Sequence, residues 1–401
     1  MPGYPGSMAS ERIDFIDYVR GVALLGILLM NVQSFSGIAA LYLNPTAAGP
    51  LVGSDFWVWA VVRLLADQKF LGLFAMLFGA GLVLFFEGAQ ARGEDAPRLL
   101  RRRMGWLMLF GVLHATLIWH GDVLFCYGAC GLVVIGARSW SPRRLLLTAL
   151  GVSAAGSSLW LAGGLSFRWW PPDMVEALAP SWMPSAAMQA AEIAAYRSGW
   201  LGQMAARLPQ ALENELGGLV FAMGWKAASL MLLGMALYRL DILTGRAPAA
   251  TYRRLASWGF GIGLPLTLAG MTADTLSGWD VGFSFFYGAQ IHGWASYPVA
   301  LGWLGLCGMW RGHALEAPLA AVGRTAFSNY ILHSVVGTWL FYGHGLGLFG
   351  TVGRTGQLVV VAGLWTLNLA LSALWLRWFR QGPLEWVWRG LVRGTFDRLR
   401  R

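Results

Sequence analysis

The stretch that decides the fold is FLGLFAMLFGAGLVLFF, from Phe70 to Phe86, which contains no charged residue. At about 1.5 Å per residue, a helix of this composition is almost long enough to cross the hydrocarbon core of a bilayer. Similar runs recur along the chain of 401 residues, of which 56% are hydrophobic and 12% charged. A soluble protein carries roughly twice that share of charge, because its surface faces water. The composition therefore excludes a soluble globular protein, and the 22 Trp and 21 Phe exclude a disordered chain.

Apolar segments of membrane-spanning length predict an all-α polytopic membrane protein with about ten transmembrane helices. The two segments on either side of His120 and Gly121 are short and closely joined, which predicts a tight helical hairpin. Residues 1–10 resemble a cloning remnant and are set aside. The predicted spans are 20–40, 70–88, 104–119, 122–137, 144–165, 216–239, 255–274, 283–310, 324–343 and 357–378.

These spans divide the chain into a five-helix N-terminal half (11–165), a long connecting segment (166–215), a five-helix C-terminal half (216–380) and a basic tail (381–401). If the N-terminus is cytoplasmic, most of the 30 Lys and Arg also fall on the cytoplasmic side. The positive-inside rule therefore predicts that both termini are cytoplasmic. The connecting segment would then be extracytoplasmic, lying on the membrane surface or covering a cavity, and the tail would lie on the anionic inner leaflet.

Polar side chains inside the spans are candidate functional residues, because an ionisable group in lipid is costly unless it faces a partner or a cavity. Three of the amides, Asn31, Gln290 and Asn368, are equally well explained as hydrogen-bonding contacts between helices. The polar residues near the membrane midplane are Asn31, His114, Lys226, Gln290, His292, Asn329, His333 and Asn368.

Structural alternatives stay open for the ionisable residues as well. Lys226 is explained either by a ligand or by pairing with an acid such as Asp122. His114 is either reactive or a satisfied core imidazole, and His120 and Asp122 at the hairpin turn are either solvated or functional. Asp122 is also able to turn back toward either histidine and orient its ring.

The sequence gives little evidence for a metal site or a disulfide bond. The three cysteines, Cys126, Cys130 and Cys307, lie in apolar stretches and are predicted to be core thiols. No HExxH, P-loop or GxSxG motif is present, and the three midplane histidines form a single layer, which disfavours haem. We expect neither a metal cofactor nor a nucleic-acid partner.

Five motifs follow one another in order along almost the whole chain and are specific in combination. They are RIDFIDYVRGVALLGILLMN (Arg12 to Asn31), KFLGLFAMLFGAGL (Lys69 to Leu82), RRRMGWLMLFGVLHATLIWHGDVLFCYGACGL (Arg101 to Leu132), GRTAFSNYILHS (Gly323 to Ser334) and GPLEWVWRGL (Gly382 to Leu391). Together they resemble the motifs of the YeiB-like family of uncharacterised bacterial membrane proteins.

The first span is also similar to that of the wider transmembrane acyltransferase group, through Asp17, Arg20, Gly21 and Asn31. This group includes the heparan-α-glucosaminide N-acetyltransferase-like and acyltransferase-3 proteins, and YILH, which ends at His333, matches its Tyr-x-Leu-His pattern. The resemblance implies acyl transfer from acyl-CoA, taken on the cytoplasmic side, to a sugar or other small acceptor. The chain departs from the glucosaminide group in one respect: no histidine follows Asn31 in the region Ala39 to Asn44, so a base has to come from elsewhere.

Under this hypothesis the base is His114, with His333 as an alternative, oriented by Asp122, while Asn31 binds the oxyanion. Acyl-CoA is the cosubstrate, and the membrane lipids and a small acceptor are the partners; homodimerisation is left open. The residues assigned to acyl-CoA are Arg20, Arg101, Arg102, Arg103 and Asn329, and those assigned to the acceptor are His120, Lys226, Gln290 and His292.

Asn329 and His333 lie four residues apart on one helix face, and we expect that face to line a path from the cytoplasm to the bundle centre. The same residues also suit a transporter or a lipid-handling protein without catalysis. In either case the expected location is the bacterial inner membrane.

Overall fold

The computed structural model describes residues 14–401, which are largely helical and contain no β-sheet. The presumed cloning remnant (1–10) and Arg12 lie outside these residues. The helices are α1 (Asp14–Ser36), α2 (Ala40–Leu43), α3 (Gly53–Leu65), α4 (Lys69–Ala91), α5 (Ala96–Leu117), α6 (Leu124–Val134), α7 (Pro142–Ser166), α8 (Pro172–Glu176), α9 (Ala179–Trp182), α10 (Ala186–Arg197), α11 (Met204–Leu212), α12 (Met223–Arg239), α13 (Ala249–Leu276), α14 (Val281–Phe283), α15 (Ala289–Met309), α16 (Glu316–Arg324), α17 (Ala326–Phe341), α18 (Arg354–Trp378) and α19 (Pro383–Arg393). A π-helical segment, Glu213–Ala222, joins α11 to α12, and another, Ser284–Gly288, precedes α15.

Within the described residues, six helical stretches are long and apolar enough to cross a membrane. All ten predicted spans overlap helices, which agrees with the predicted all-α membrane class, and α5 and α6 form the predicted hairpin. α6 and α17 are short, with 11 and 16 residues, so the number of spans stays a prediction. The six stretches are Asp14–Ser36, Gly53–Ala91, Pro142–Trp169, Met204–Arg239, Ala249–Leu276 and Arg354–Trp378.

One apolar stretch is interrupted, and the sequence prediction missed half of it. Gly53–Ala91 consists of α3 and α4 joined through a break at residues 66–68, where Gln68 has a left-handed backbone with φ 60°. Asp55, Arg63 and Asp67 lower the apolar character of the first half, and for this reason α3 was not predicted as part of a span.

The glycines of two family motifs form one helix crossing. A Cβ atom on Gly21 of α1 would lie 1.9 Å from the carbonyl oxygen of Leu319 in α16. A Cβ on Gly323 of α16 would lie 1.8 Å from the carbonyl oxygen of Asp17 in α1. The two backbones approach so closely that only glycine fits at either position.

The basic tail differs from the prediction. Its helix α19 was expected to bury an apolar face in the inner leaflet, but Trp388 and Val392 are buried within the protein core. Glu385 holds the tail in place: its Oε1 accepts hydrogen bonds from the backbone N–H groups of Phe327 (2.7 Å) and Ser328 (3.3 Å) at the start of α17. Because the helix N-terminus attracts a carboxylate, α19 binds to the bundle rather than to lipid alone.

The three cysteines are free and buried, as predicted. They fill space between packed helices and form no disulfide.

Candidate functional site

A cavity of about 2260 Å³ runs through the bundle. It is lined by α1, α4, the α5–α6 hairpin, α12, α17 and α19, and by parts of the connecting segment 166–215. We call the end where α1 begins and α19 lies the basic end, and the end formed by the α5–α6 loop and the connecting segment the hairpin end. Between the two ends the lining is mostly apolar and aromatic.

Positive charge is in excess at the basic end. Its acidic residues, Asp17, Glu87, Asp241, Glu385 and Asp397, are outnumbered by arginines. The arginines that line it are Arg20, Arg92, Arg103, Arg239, Arg246, Arg324, Arg389 and Arg393.

Of the three predicted cofactor-binding arginines in α5, only Arg103 reaches the cavity. Its guanidinium lies 3.9 Å from the ring centroid of Trp388 and 4.8 Å from that of Phe85. Arg102 instead donates to the carbonyl oxygen of Leu391 at 2.8 Å and thereby fastens α19, while Arg101 is exposed. The cluster Arg101–Arg103 is therefore split between one cavity residue and two outside it.

Arg20, the other predicted cation, does line the cavity. Its Nη1 atom donates to Asp17 at 2.6 Å and to the carbonyl oxygen of Gly323 at 3.3 Å. The Asp-x-x-Arg-Gly motif therefore joins α1 to α16 and also presents a guanidinium at the basic end.

Asn31 lines the middle of the cavity, as its predicted role requires. No hydrogen-bond partner for its carboxamide is found within residues 14–401, so the group is available to a ligand. Lys226 does not pair with Asp122, the acid named in one of the two alternatives for this residue. Its ammonium donates to Oε1 of Gln68 and lies 3.4 Å from the carbonyl oxygen of Gly293, because α12 passes beside the break between α3 and α4.

At the hairpin end, Asp122 turns back onto His114 as predicted, with 2.8 Å between Oδ1 and Nδ1. The second oxygen of Asp122 accepts from the backbone N–H of Phe125 at 2.9 Å, and the hydroxyl of Tyr330 lies 3.5 Å from Oδ1. Asp122 and Tyr330 line the cavity, whereas His114 lies behind them, with its Nε2 atom buried and unpartnered. Glu215, from the π-helical segment, lies beside Asp122 on another side.

His120 lies directly on the cavity wall. The hydroxyl of Tyr196 donates to Gln210 at 2.6 Å and lies 3.2 Å from Nδ1 of His120. Since that hydroxyl gives its only proton to Gln210, Nδ1 of His120 is the donor to Tyr196, and Nε2 keeps its lone pair. Burial lowers the pKa of His120 to about 4, assisted by the nearby Arg207, so the ring is neutral at physiological pH.

The connecting segment covers this end of the cavity. Asn214 donates to the carbonyl oxygen of His120 at 3.2 Å, and Glu192 accepts from the backbone N–H of Ala39 at 2.9 Å. Burial raises the pKa of Glu192. Residues 166–215 were expected either to lie on the membrane surface or to cover a cavity. These contacts favour the second position.

Asn329 and His333 do not line the cavity, and the expected path along their helix face is absent from the described residues. Asn329 donates to Ser372 of α18 at 2.9 Å and to Thr325 at 3.0 Å, and His333 accepts from Asn368 of α18. These side chains instead hold α17 against α18.

His292 and Gln290 also lie away from the cavity wall. Nε2 of His292 lies 2.9 Å from Oδ2 of Asp274 in α13, so this histidine joins two helices. Within residues 14–401, no group of three or more His, Cys, Asp or Glu side chains is arranged to hold a metal ion.

Sequence reasoning missed Gln68, Glu215, Tyr196 and Glu385. A signal existed for Gln68, since the polar sequence Asp67-Gln68-Lys69 interrupts an apolar run. None existed for Tyr196 or Glu385, whose partners lie far away along the chain.

The helical bundle with its internal cavity defines a polytopic membrane protein. A family model described as "Protein of unknown function (DUF418)" matches residues 237–395. The chain is 35% identical over 395 residues to "Uncharacterized protein YeiB" of Escherichia coli (strain K12), covering 95% of this chain and 96% of the relative. It is 30% identical over 405 residues to "Uncharacterized protein YxaH" of Bacillus subtilis (strain 168), covering 96% and 94%. The chain therefore belongs to the YeiB-like family of uncharacterised proteins.

Proposed function

We propose that the protein is a membrane-embedded acyltransferase that moves an acyl group from acyl-CoA to a sugar, lipid or other small acceptor. The observation that carries the proposal is the cavity, which joins an arginine-rich end to an end that presents a neutral histidine. Acyl-CoA is a polyanion with an apolar or small acyl group, so a basic mouth followed by an apolar passage suits it. The similarity of Asp17, Arg20, Gly21 and Asn31 to the transmembrane acyltransferase group points to the same reaction.

We further propose that the chain crosses the bacterial inner membrane about ten times, with the basic end in the cytoplasm. Both described chain ends lie on the basic side, and arginine excess marks cytoplasmic surfaces. The donor then enters from the cytoplasm and the acceptor from the far side.

Each end has a defined chemical task. At the basic end, Arg20 and Arg103 bind phosphates of CoA through charge-assisted hydrogen bonds. At the hairpin end, Nε2 of His120 accepts the proton of the acceptor's hydroxyl or amine as that group attacks the thioester. The cavity lining favours His120 over His114 as the base, because a base has to reach the acceptor and His114 lies behind Asp122.

Binding of CoA to the purified protein tests the donor site. Arg103→Gln is expected to weaken binding by about tenfold, as for the loss of one charged contact. Arg101→Gln is the matched control, because Arg101 is exposed outside the cavity, and it should bind as the parent does. Calorimetry that detects no CoA binding to the parent protein would reject the acyl-CoA proposal.

A second function, transport of an anionic solute, is favoured by the same feature, because the cavity reaches both ends of the bundle. The two functions differ in their products. A transporter moves its solute unmodified and releases no CoA thiol, whereas the acyltransferase releases one thiol for each acyl group transferred.

A further inference from the structure

The break between α3 and α4 lies at membrane depth. Gln68 receives its hydrogen bond from Lys226, which is about 20 Å along α12 from the Arg239 end. Irregular backbone at such depth is tolerated only where it is buried in protein or lines a cavity, and broken helices often carry binding sites. Here Ala66 and Gln68 both line the cavity.

Charged side chains gather around this break. Asp67 pairs with Arg63, and the fully buried ammonium of Lys69 donates to the carbonyl oxygen of Arg63 at 2.7 Å. Together with Lys226, three cations therefore surround Asp67. Asp67 is the one acid among these four side chains, so the group carries more positive than negative charge. Surplus positive charge in a buried site stabilises negative charge on a neighbouring ligand atom.

The direction of the Gln68 carboxamide follows from its partner. An ammonium group only donates hydrogen bonds, so the atom of Gln68 facing Lys226 is the oxygen Oε1. The amide N–H groups then point away from Lys226. No protein partner for them is found in the described part of the chain, and Gln68 lines the cavity.

The backbone conformation of Gln68 indicates that its side chain has a role of its own. Its φ of 60° is in the left-handed region, which glycine adopts freely and which strains other residues. If residue 68 served only to break the helix, glycine would do so without this strain. The side chain therefore has a use that the break alone does not explain.

We propose that Gln68 donates a hydrogen bond to the carbonyl oxygen of the acyl donor, together with Asn31 of the same cavity wall, and that Lys226 positions and polarises the Gln68 amide. This inference rests on the proposed function. Gln68 is then a catalytic residue because it touches the reacting carbonyl, and Lys226 is a positioning residue because it acts through Gln68.

The reaction step balances as follows. The acceptor's oxygen or nitrogen forms a bond to the thioester carbon, its proton passes to His120, and the carbonyl π electrons move onto oxygen beside Gln68. The electrons then return, the carbon–sulfur bond breaks, and the CoA thiolate leaves and takes the proton from His120. The products are the acylated acceptor and CoA thiol.

The test compares binding with turnover in Gln68→Glu. This change is nearly isosteric and keeps an oxygen toward Lys226, but it removes the N–H donor. We expect the Kd for acetyl-CoA to stay within about twofold and the rate of CoA thiol release, with glucosamine as acceptor, to fall about 100- to 1000-fold. Gln90→Glu is the matched control, because Gln90 is exposed at the other end of α4 and should leave both quantities unchanged.

Lys226 supplies the second probe, with folding followed by thermal melting. Lys226→Arg should restore most of the turnover that Lys226→Met loses, because only the arginine donates to Oε1 of Gln68. Parental kcat in Gln68→Glu, or a loss confined to Kd, would overturn the inference and leave the acyltransferase proposal standing. If the parent protein neither binds acetyl-CoA nor releases thiol, both the inference and the proposed function fail.

Discussion

The two ends of the cavity are built from different interactions. At the basic end, Arg20 and Arg103 are held by a carboxylate, one backbone oxygen and two aromatic rings, and Arg20 lies at a helix crossing where two backbones touch. At the hairpin end, the neutral His120 ring donates to the hydroxyl of Tyr196 in α10, which in turn donates to Gln210 in α11. This difference suggests that the basic end depends on packing and charge, and that the hairpin end depends on the orientation of a few polar groups.

The largest effect is expected at the hairpin end. His120→Ala should lower turnover about 100- to 10,000-fold, because it removes the base, and it should leave CoA binding at the basic end unchanged. Thiol release and calorimetry on the same preparation measure both effects. His114→Ala is the matched control: it should lose stability, because it removes the hydrogen bond between His114 and Oδ1 of the buried Asp122, and retain more turnover than His120→Ala. The reverse order of turnover would return the role of base to His114.

At the basic end, a substitution in the crossing of α1 and α16 should lower the stability of the protein rather than its turnover. Gly323→Ala would place a methyl group against the carbonyl oxygen of Asp17, so we expect a loss of about 1–3 kcal/mol in unfolding free energy. Gly363→Ala in α18 is the control, since a Cβ there meets no atom within 4 Å. Thermal melting in detergent compares the two variants; equal melting temperatures would show that the crossing is looser than described.

The hairpin end should also make the stability of the protein depend on pH, through His120. Burial lowers the pKa of His120 from 6.5 to about 4, so the unfolded chain binds this proton more readily than the folded protein. Stability from this residue is therefore complete above pH 6.5 and is lost as pH falls toward 4, by at most about 3 kcal/mol. Melting curves across this range should fall less steeply for His120→Gln than for the parent. Identical slopes would mean that His120 is not buried in its neutral form.

The sequence predicted those features that depend on neighbouring residues. The apolar runs indicated the helices, the arginine run in α5 indicated a basic surface, and His114 and Asp122 were close enough along the hairpin for their contact to be expected. Tyr196 and Glu385 contact groups far away in the chain, and nothing local marks such pairs. For Gln68 the polar sequence Asp67-Gln68-Lys69 marked the break in the apolar run, but not the distant partner Lys226. Asn329, His333 and His292 were predicted as site residues, but they contact neighbouring helices instead of the cavity: Ser372 and Asn368 of α18 for the two residues of α17, and Asp274 of α13 for His292.

The central claim is that one cavity connects a cytoplasmic donor site with an acceptor site on the far side. Its most direct test uses proteoliposomes in which a protease-sensitive C-terminal tag reports the orientation. Acetyl-CoA labelled in the acetyl group is added on the side of the termini, and an impermeant amino sugar is enclosed on the other side. The account predicts labelled acetyl on the sugar and one equivalent of CoA thiol on the donor side. Labelled acetyl-CoA that crosses intact, or thiol release without label on the sugar, would contradict it.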